Sequence, residues 1–303
     1  MKYQSLFCST TGDEQLHVMH ISKAGQQGMP VLMLHGMVED GRIFYHKSGK
    51  GLGSYLAQQG FDVYVADRRG VGGSKPQITA LSTHGQTEAI VEDIPRLIEF
   101  VLRVAGKEKL VLVAHSWGGV MANAALLRNK DLIERVEAQV FFGSKRYVSA
   151  LNFDRLLKIE IVWNRLAKQA AQRKGFLNAQ SLGIGSQNET KKTHRQCVEW
   201  VRSKRWIDFD DGFHYADTAK KVKLPPTLYF SAIADKSLGH PKDVRWFRKE
   251  SGIHQSEYVL LARRTGFKQD YDHINMLTHP VAPIDHFPLV LAWLSRVAHD
   301  EIV

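Results

Sequence analysis

The chain has few of the residues that mark several protein classes. Its 303 residues include only two cysteines, Cys8 and Cys197, and these stand far apart. Two isolated cysteines provide neither a disulfide framework nor a Cys-x-x-Cys motif. The N-terminal stretch MKYQSLFCSTTGDEQ lacks the apolar segment of a signal peptide, and no later run is long and uncharged enough to span a bilayer. We therefore expect a soluble, cytoplasmic protein with reduced cysteines.

Signatures of nucleotide and metal binding are also missing. The glycine-rich stretches RGVGGSK and HKSGKGLGS have the wrong spacing for a dinucleotide-binding turn or a phosphate loop. The 14 histidines are dispersed, and no H-E-x-x-H motif is present. A small acidic cluster, Asp208, Asp210 and Asp211, is expected to be a solvated loop or a helix start rather than a cation site. These absences argue against a nucleotide or metal site.

The order of apolar segments indicates an α/β protein. The composition is ordinary for a globular chain, with 44% hydrophobic, 10% aromatic and 24% charged residues. Short β-branched runs alternate with segments of helical periodicity, which is typical of a mostly parallel sheet with helices on both faces. We predict strands at residues 4–8, 15–21, 30–35, 61–66, 109–114, 138–143, 226–232 and 257–262. We predict helices near residues 51–59, 86–105, 118–129, 241–250 and 286–298. Pro95 should bend the second of these helices or end its first half.

One segment interrupts this alternation and carries most of the charge. Between Lys145 and Lys223 we expect helices and loops without strands. This segment has 17 Lys or Arg against 8 Asp or Glu, whereas the formal net charge of the whole chain is +10. A basic face could bind nucleic acid, but no DNA-binding motif accompanies it, so no nucleic-acid partner is expected. An anionic substrate, the surface of an anionic membrane and a merely solvated face are the alternatives.

Ser116 lies on the turn between a predicted buried strand and a helix, in the stretch VLVAHSWGG at residues 111–119. Such a sharp turn needs small residues two positions before and after the serine, and Ala114 and Gly118 meet that need. The usual pattern is G-x-S-x-G, from which Ala114 departs by one methyl group. The turn indicates a nucleophilic serine, and the alternative is a serine that only caps the helix.

A nucleophilic serine needs a base, an acid that orients the base, and donors for an oxyanion. The motif HGM at residues 35–37 follows the third predicted strand, so the amides of Met37 and Trp117 could converge on one substrate oxygen. Asp235 ends the seventh strand, where open α/β sheets place their ligands. His273 follows the eighth strand. The order Ser, Asp, His is the one expected for this type of serine turn.

Three histidines follow the last predicted strand, and only one of them should be the base. His273 lies in the loop directly after the strand, over the carboxyl end of the sheet. His279 precedes a proline turn, and His286 already belongs to the last helix. We therefore predict that His273 is the base.

These motifs resemble those of serine hydrolases of the α/β-hydrolase superfamily over nearly the whole chain. The segment DRRGVGGSKP, which begins at Asp67, resembles the D-x-R-G-x-G-x-S loop of that family. The segment YDHINMLTHPVAPIDHFPLVLAWL resembles the histidine loop and last helix of lipases and esterases, including relatives of polyhydroxyalkanoate synthases, whose nucleophile is usually cysteine. The resemblance implies hydrolysis of a small-molecule carboxylic ester through an acyl-enzyme, with no metal or organic cofactor. Acyl transfer, thioester hydrolysis and a non-catalytic binding protein of the same fold are the alternatives.

The resemblance also implies a division of the chain. Residues 1–144 and 224–303 should form the hydrolase core, and residues 145–223 a helical basic cap inserted between strands 6 and 7. Apolar side chains of the cap should form its own core and roof the cleft. They are Phe153, Leu156, Leu157, Ile161, Trp163, Phe176 and Leu182.

Overall fold

The architecture is a mostly parallel sheet of eight strands, in a computed structural model that describes residues 1–23, 28–252 and 255–297. The strand order is β1-β2-β4-β3-β5-β6-β9-β10; β2 pairs antiparallel with β1 and with β4, and the other neighbouring strands of this sheet pair parallel. The predicted fold class is confirmed. The strands of this sheet are β1 (Lys2–Ser9), β2 (Gln15–Ser22), β3 (Pro30–Leu34), β4 (Asp62–Ala66), β5 (Leu110–His115), β6 (Val136–Phe142), β9 (Thr227–Ala232) and β10 (Ser256–Leu261).

Helices cover both faces of the sheet. They are α1 (Leu52–Gln58), α2 (Gln86–Glu88), α3 (Ile94–Ala105), α4 (Trp117–Arg128), α5 (Phe153–Arg155), α6 (Lys168–Lys174), α7 (Lys191–Arg202), α8 (Tyr215–Ala219), α9 (Pro241–Glu250), α10 (Asn275–Thr278) and α11 (Phe287–Val297). A π-helical turn, Ala89–Asp93, joins α2 to α3. The helix continues past Pro95, so Pro95 does not end its first half. The π-helical turn lies directly before the proline, which has no amide hydrogen to donate to that turn. The predicted helix end at residue 298 lies outside the described residues. Within those residues, no helix combines the length and the hydropathy that a bilayer crossing requires.

The central strands are buried on both faces, which explains their continuous apolar sequences. On β3, Leu32 and Leu34 pack into the core on one side of the sheet, and Val31 and Met33 pack into the core on the other side. Because the sheet is parallel from β4 to β10, the carboxyl ends of β3, β5, β9 and β10 all lie at one edge. The loops that follow these strands therefore meet there.

The segment between β6 and β9 is mostly helical, with α5, a π-helical stretch Leu156–Ala167, α6, α7 and α8. It also contains two short strands, β7 (Phe176–Leu177) and β8 (Glu189–Thr190), which pair antiparallel. The prediction that this segment lacks strands is therefore wrong. Two-residue strands are too short to show an alternation of apolar and polar residues in the sequence.

The prediction of which apolar residues form the core of this segment is wrong for five of the seven. Phe153 is 77% exposed, and Leu156, Leu157, Ile161 and Leu182 are exposed as well, whereas Trp163 and Phe176 are half-buried. Ala167, Ala171, Ala179 and Leu177 form one small core cluster, while other buried residues of the segment, such as Ile159, Trp200, Trp206 and Tyr215, belong to the main core on one side of the sheet. Residues three and four apart mark one face only in an α-helix, and Leu156–Ala167 is π-helical.

Buried polar contacts tie this segment to the rest of the chain. Asp208 was expected to be solvated, but it is 2% exposed and accepts hydrogen bonds from Thr87 Oγ1 at 2.9 Å and Arg128 Nη2 at 2.9 Å. Arg146 is fully buried and forms an ion pair with Glu250 of α9 at 2.5 Å. The Arg146 guanidinium also donates to the main-chain carbonyls at the end of α7 and just after it, which belong to Trp200, Ser203, Lys204 and Arg205.

We predict that Arg146→Met lowers the free energy of unfolding by about 3 kcal/mol, because it leaves the Glu250 carboxylate and several carbonyls without their donor. Urea denaturation measures the change. The matched control is Arg202→Met, which removes an exposed guanidinium from α7. Equal stability of the two variants would contradict the structural role of Arg146.

Candidate active site

Ser116 lies on a tight turn between β5 and α4. Its backbone has φ 52° and ψ −121°, a conformation that a residue other than glycine adopts only when its surroundings impose it. The cause is the close packing of α4 on β3: a Cβ placed on Gly118 would lie 2.4 Å from the Leu34 carbonyl oxygen. The Ser116 amide donates to the carbonyl of Phe142 at 2.8 Å, and its side chain makes no capping hydrogen bond to α4. The hydroxyl therefore does not cap the helix.

The structure brings the three predicted residues Ser116, Asp235 and His273 together. The Ser116 hydroxyl lies 2.9 Å from Nε2 of His273, and Nδ1 of His273 lies 2.6 Å from Oδ2 of Asp235. Burial alone would raise the pKa of Asp235, but His273 and hydrogen bonds from the backbone outweigh burial and lower the pKa to about 2. An ionised Asp235 accepts a hydrogen bond from the Nδ1–H group, so the lone pair of Nε2 faces the serine. In this state His273 can remove the proton of Ser116.

The two predicted oxyanion donors lie next to the serine turn. A Cβ placed on Gly36 would lie 2.8 Å from the Ser116 Cβ, so only glycine fits at this contact. Met37 directly follows Gly36, and Trp117 directly follows Ser116. Within the described part of the chain, neither the Met37 amide nor the Trp117 amide has a hydrogen-bond acceptor. Both donors are therefore available to a substrate oxygen.

Glu189, a residue that the sequence did not indicate, holds the turn that contains Met37. Its carboxylate accepts the Val38 amide at 2.7 Å and pairs with the Arg68 guanidinium, whose Nη1 lies 3.1 Å from Oε2. Val38 has φ 53°, an unusual value for a β-branched residue. Its carbonyl accepts the amide of Ser186 at 2.8 Å. Residues of the segment between β6 and β9 thus fix the backbone beside Met37.

A second contact that the sequence did not indicate joins Glu39 to His115, the residue before Ser116. Nδ1 of the fully buried His115 lies 2.6 Å from Glu39 Oε1, and Nε2 donates to the carbonyl of His273 at 2.9 Å. The same Glu39 oxygen accepts the amide of Gly36 at 2.5 Å. Burial lowers the pKa of His115, but Glu39 outweighs burial and raises it. Burial raises the pKa of Glu39, and His115 outweighs this and lowers it.

Both ring nitrogens of His115 face oxygen acceptors, and the two pKa shifts favour an imidazolium beside a carboxylate. The pair connects the turn after β3, the serine turn and the histidine loop. Glu39 and His115 flank motifs that are visible in the sequence, but nothing in the spacing of those motifs shows that the two residues meet.

The other candidate residues have structural contacts. His286 is fully buried and Nε2 donates to the carbonyl of Met276 at 2.7 Å, while burial lowers the pKa of His286 to about 4. The half-buried His279 accepts the amide of Val281 at 3.2 Å. Asp67 accepts the amides of Gly41 and Gly73, each at 2.8 Å. Of the three histidines after β10, His273 is the one that contacts Ser116.

Comparison with known proteins places this geometry in context. A family profile described as "alpha/beta hydrolase fold" matches residues 29–156, a region that contains Ser116 but ends before Asp235 and His273. A thermophilic esterase from Thermogutta terrifontis superposes with a TM-score of 0.61, at 17% sequence identity, over 97% of this chain and 99% of the esterase. This similarity shows that the chain shares the fold of that esterase over nearly its whole length.

Curated relatives with sequence similarity include lipases. Triacylglycerol lipase 1 of Arabidopsis thaliana is 33% identical over 120 residues, which are 37% of this chain and 30% of the lipase. Lipase member N of Homo sapiens is 27% identical over 156 residues, which are 48% of this chain and 38% of that protein. The aligned region spans about a third of the length of these relatives.

We predict that Glu39→Gln destabilises the protein by about 3 kcal/mol near pH 6 and by much less near pH 9. The lowered pKa of Glu39 contributes stability above its unfolded pKa. The raised pKa of His115 contributes stability below its unfolded pKa, and this stability is lost as pH rises through the folded pKa. Both contributions are present together near pH 6.

Urea denaturation at the two pH values measures the difference between wild type and variant. The exposed Glu134, changed to Gln, is the matched control and should have little effect at either pH. A loss of stability in Glu39→Gln that does not vary with pH would contradict a charged pair.

Proposed function

We propose that this chain, which has the α/β-hydrolase fold, is a serine hydrolase of that superfamily that cleaves carboxylic esters through an acyl-enzyme intermediate. The observation that carries the proposal is the continuous hydrogen-bonded chain from Ser116 through His273 to Asp235, with contacts of 2.9 Å and 2.6 Å. This arrangement supplies a nucleophile, a base and an orienting carboxylate in one place. The sequence similarity to lipases supports an ester as the substrate.

In the proposed mechanism, Nε2 of His273 accepts the Ser116 proton as the serine oxygen attacks the ester carbonyl. The carbonyl oxygen becomes an oxyanion and accepts hydrogen bonds from the amides of Met37 and Trp117. The imidazolium then gives its proton to the departing alcohol, and the acyl group stays on Ser116. His273 next removes a proton from water as the water oxygen attacks the acyl-enzyme, and then gives this proton to the Ser116 oxygen as the carboxylic acid leaves. Asp235 keeps the imidazole in the required tautomer throughout.

Apolar surface beside the triad supports a medium-sized apolar acyl or alcohol group. Leu238, three residues after Asp235, is 36% exposed, and Ile274, next to His273, is 45% exposed. Phe153 lies near the same loops, because the neighbouring Asn152 donates to the carbonyl of Lys236 at 2.7 Å. Exposed apolar side chains grouped around a polar centre are typical of ligand-binding sites.

We propose that residues 145–223 form a cap over this site, with residues 1–144 and 224–303 as the hydrolase core. The contacts of Ser186 and Glu189 with Val38 support this division, since they reach the turn that holds the oxyanion donors. The sequence also predicts a relationship of the histidine loop to relatives of polyhydroxyalkanoate synthases, and this relationship remains a prediction.

We expect Ser116→Ala to abolish labelling by a fluorophosphonate probe and turnover of p-nitrophenyl esters, because only an activated serine attacks these reagents quickly. The measurement uses p-nitrophenyl esters of graded chain length beside matched thioesters and amides, with circular dichroism to show that the variant is folded. A folded variant that keeps a tenth of the wild-type kcat on the best ester would show that Ser116 is not the nucleophile. Faster turnover of the thioesters would favour a thioesterase.

A second comparison tests the choice of base. His273→Ala should lower kcat by roughly 10⁴-fold or more, as loss of a triad member does. The matched control is His279→Ala, because His279 lies in the same region and contacts neither Ser116 nor Asp235 in the described structure. We expect this control to keep kcat near the wild-type value. The reverse ranking of the two variants would reject His273 as the base.

A further inference from the structure

Lys145 is a buried cation beside the proposed active site. It follows β6 by three residues, and the chain that leads to it passes the base: a Cβ placed on Gly143 would lie 3.0 Å from the ring of His273. Lys145 is only 7% exposed, and its ammonium lies 5.5 Å from the centre of the Trp117 ring. Trp117 is the residue directly after Ser116. The ammonium therefore lies against the first turn of α4, next to the serine turn.

Among the residues that the structure describes, this ammonium has no carboxylate partner. Within the described ranges, no carboxylate lies within 4.0 Å of Lys145 Nζ. Cys197, Asp235 and Asp243 each raise the pKa of Lys145, but burial raises the pKa of the Cys197 thiol to about 12, and neither carboxylate is within ion-pair distance. Both carboxylates have other partners: Asp235 binds His273, and Asp243 accepts both the amide of Ser149 at 2.9 Å and its hydroxyl at 2.6 Å.

The neighbouring residue Arg146 is a buried cation that does have partners. Its guanidinium is fully buried and is paired with Glu250 and with main-chain carbonyls. A charge without such partners carries a large desolvation cost, and the face of an aromatic ring offsets only part of it. Burial accordingly lowers the pKa of Lys145. Lys145 thus has the properties of a cation that lacks its counterion.

A second polar group without a partner lies beside Lys145. Ser144 is fully buried, and its hydroxyl has no hydrogen-bond partner in the part of the chain that the structure describes. This hydroxyl lies against α4 as well, since a Cβ placed on Gly119 would be 2.3 Å from Ser144 Oγ. Two consecutive residues therefore present unused polar groups to the first turn of the helix that begins at the nucleophile.

We propose that Lys145 binds a carboxylate group of the substrate against the face of Trp117, so that the preferred substrates are esters that carry one negative charge. This inference rests on the proposed esterase function and specifies its substrate class. A single ammonium balances a monoanion, whereas a phosphate dianion would leave excess charge in a buried apolar setting. The basic surface of residues 145–223 attracts anions in general, but Lys145 is the cation placed next to the nucleophile.

The experiment compares two esters of nearly equal size, p-nitrophenyl hydrogen succinate, which is an anion, and its methyl ester, which is neutral. We expect wild-type enzyme to favour the anion in kcat/KM. Lys145→Met should lower the ratio of the two kcat/KM values about 10- to 100-fold, the usual effect of losing one charge-assisted hydrogen bond. Lys145→Arg should keep part of the preference. Fluorophosphonate labelling of Ser116 shows whether each variant retains a folded site.

The matched control is Lys168→Met, which removes one positive charge from an exposed position between β6 and β9. It separates binding of the substrate carboxylate at Lys145 from the general attraction of anions by the basic surface. We expect it to leave the ratio unchanged, and an equal loss in Lys168→Met and Lys145→Met would overturn the proposal. Equal kcat/KM values of the wild-type enzyme for the neutral and the anionic ester would also overturn the proposal. This outcome does not depend on whether Lys145→Met folds, and it would leave the esterase proposal standing. Turnover of neither ester, nor of any p-nitrophenyl ester, would reject the esterase proposal itself.

Discussion

The arrangement of the candidate site depends on one close backbone contact, where the first turn of α4 packs on the end of β3. Gly118 lies so near the carbonyl oxygen of Leu34 that a Cβ there would be 2.4 Å away. A helix that starts this close to the neighbouring strand forces Ser116 into its unusual backbone conformation. The same contact brings the amide of Trp117 near the turn that carries Met37. The positions of the proposed nucleophile and of both proposed oxyanion donors thus follow from one steric condition.

Buried ion pairs then fix the loops around this contact. Glu39 and His115 join the turn after β3 to the histidine loop, while Glu189 and Arg68 join that turn to the segment between β6 and β9. Buried pairs contribute little net stability, because the cost of desolvation offsets most of the attraction. Separating the two partners nevertheless leaves a buried charge unpaired, which strongly destabilises the fold. Each pair therefore disfavours any arrangement in which its loops move apart. Their effect is to keep the loops in one geometry.

The sequence predicted the sheet, and the meeting of Ser116, Asp235 and His273 at its edge, for a physical reason. Strands buried on both faces have continuous apolar sequences, and the residues at their carboxyl ends must meet at one edge. Ser116, Asp235 and His273 are placed by that rule alone. The contacts of Glu39 and Glu189 join residues far apart in the chain, and no local pattern marks them. The burial of Phe153 and its neighbours was predicted wrongly, because helical periodicity does not identify the packed face of a π-helical stretch.

Glu189 has a consequence for protein engineering. Inserted segments of α/β proteins are often treated as modules that can be exchanged between scaffolds. Here the exchange of residues 145–223 would remove the carboxylate that holds the Val38 amide and pairs with Arg68. It would also remove Arg146 and leave Glu250 of α9 without its partner. A chimera would therefore have to replace these two polar junctions as well as the segment itself, or its scaffold would lose the support of the turn beside Met37.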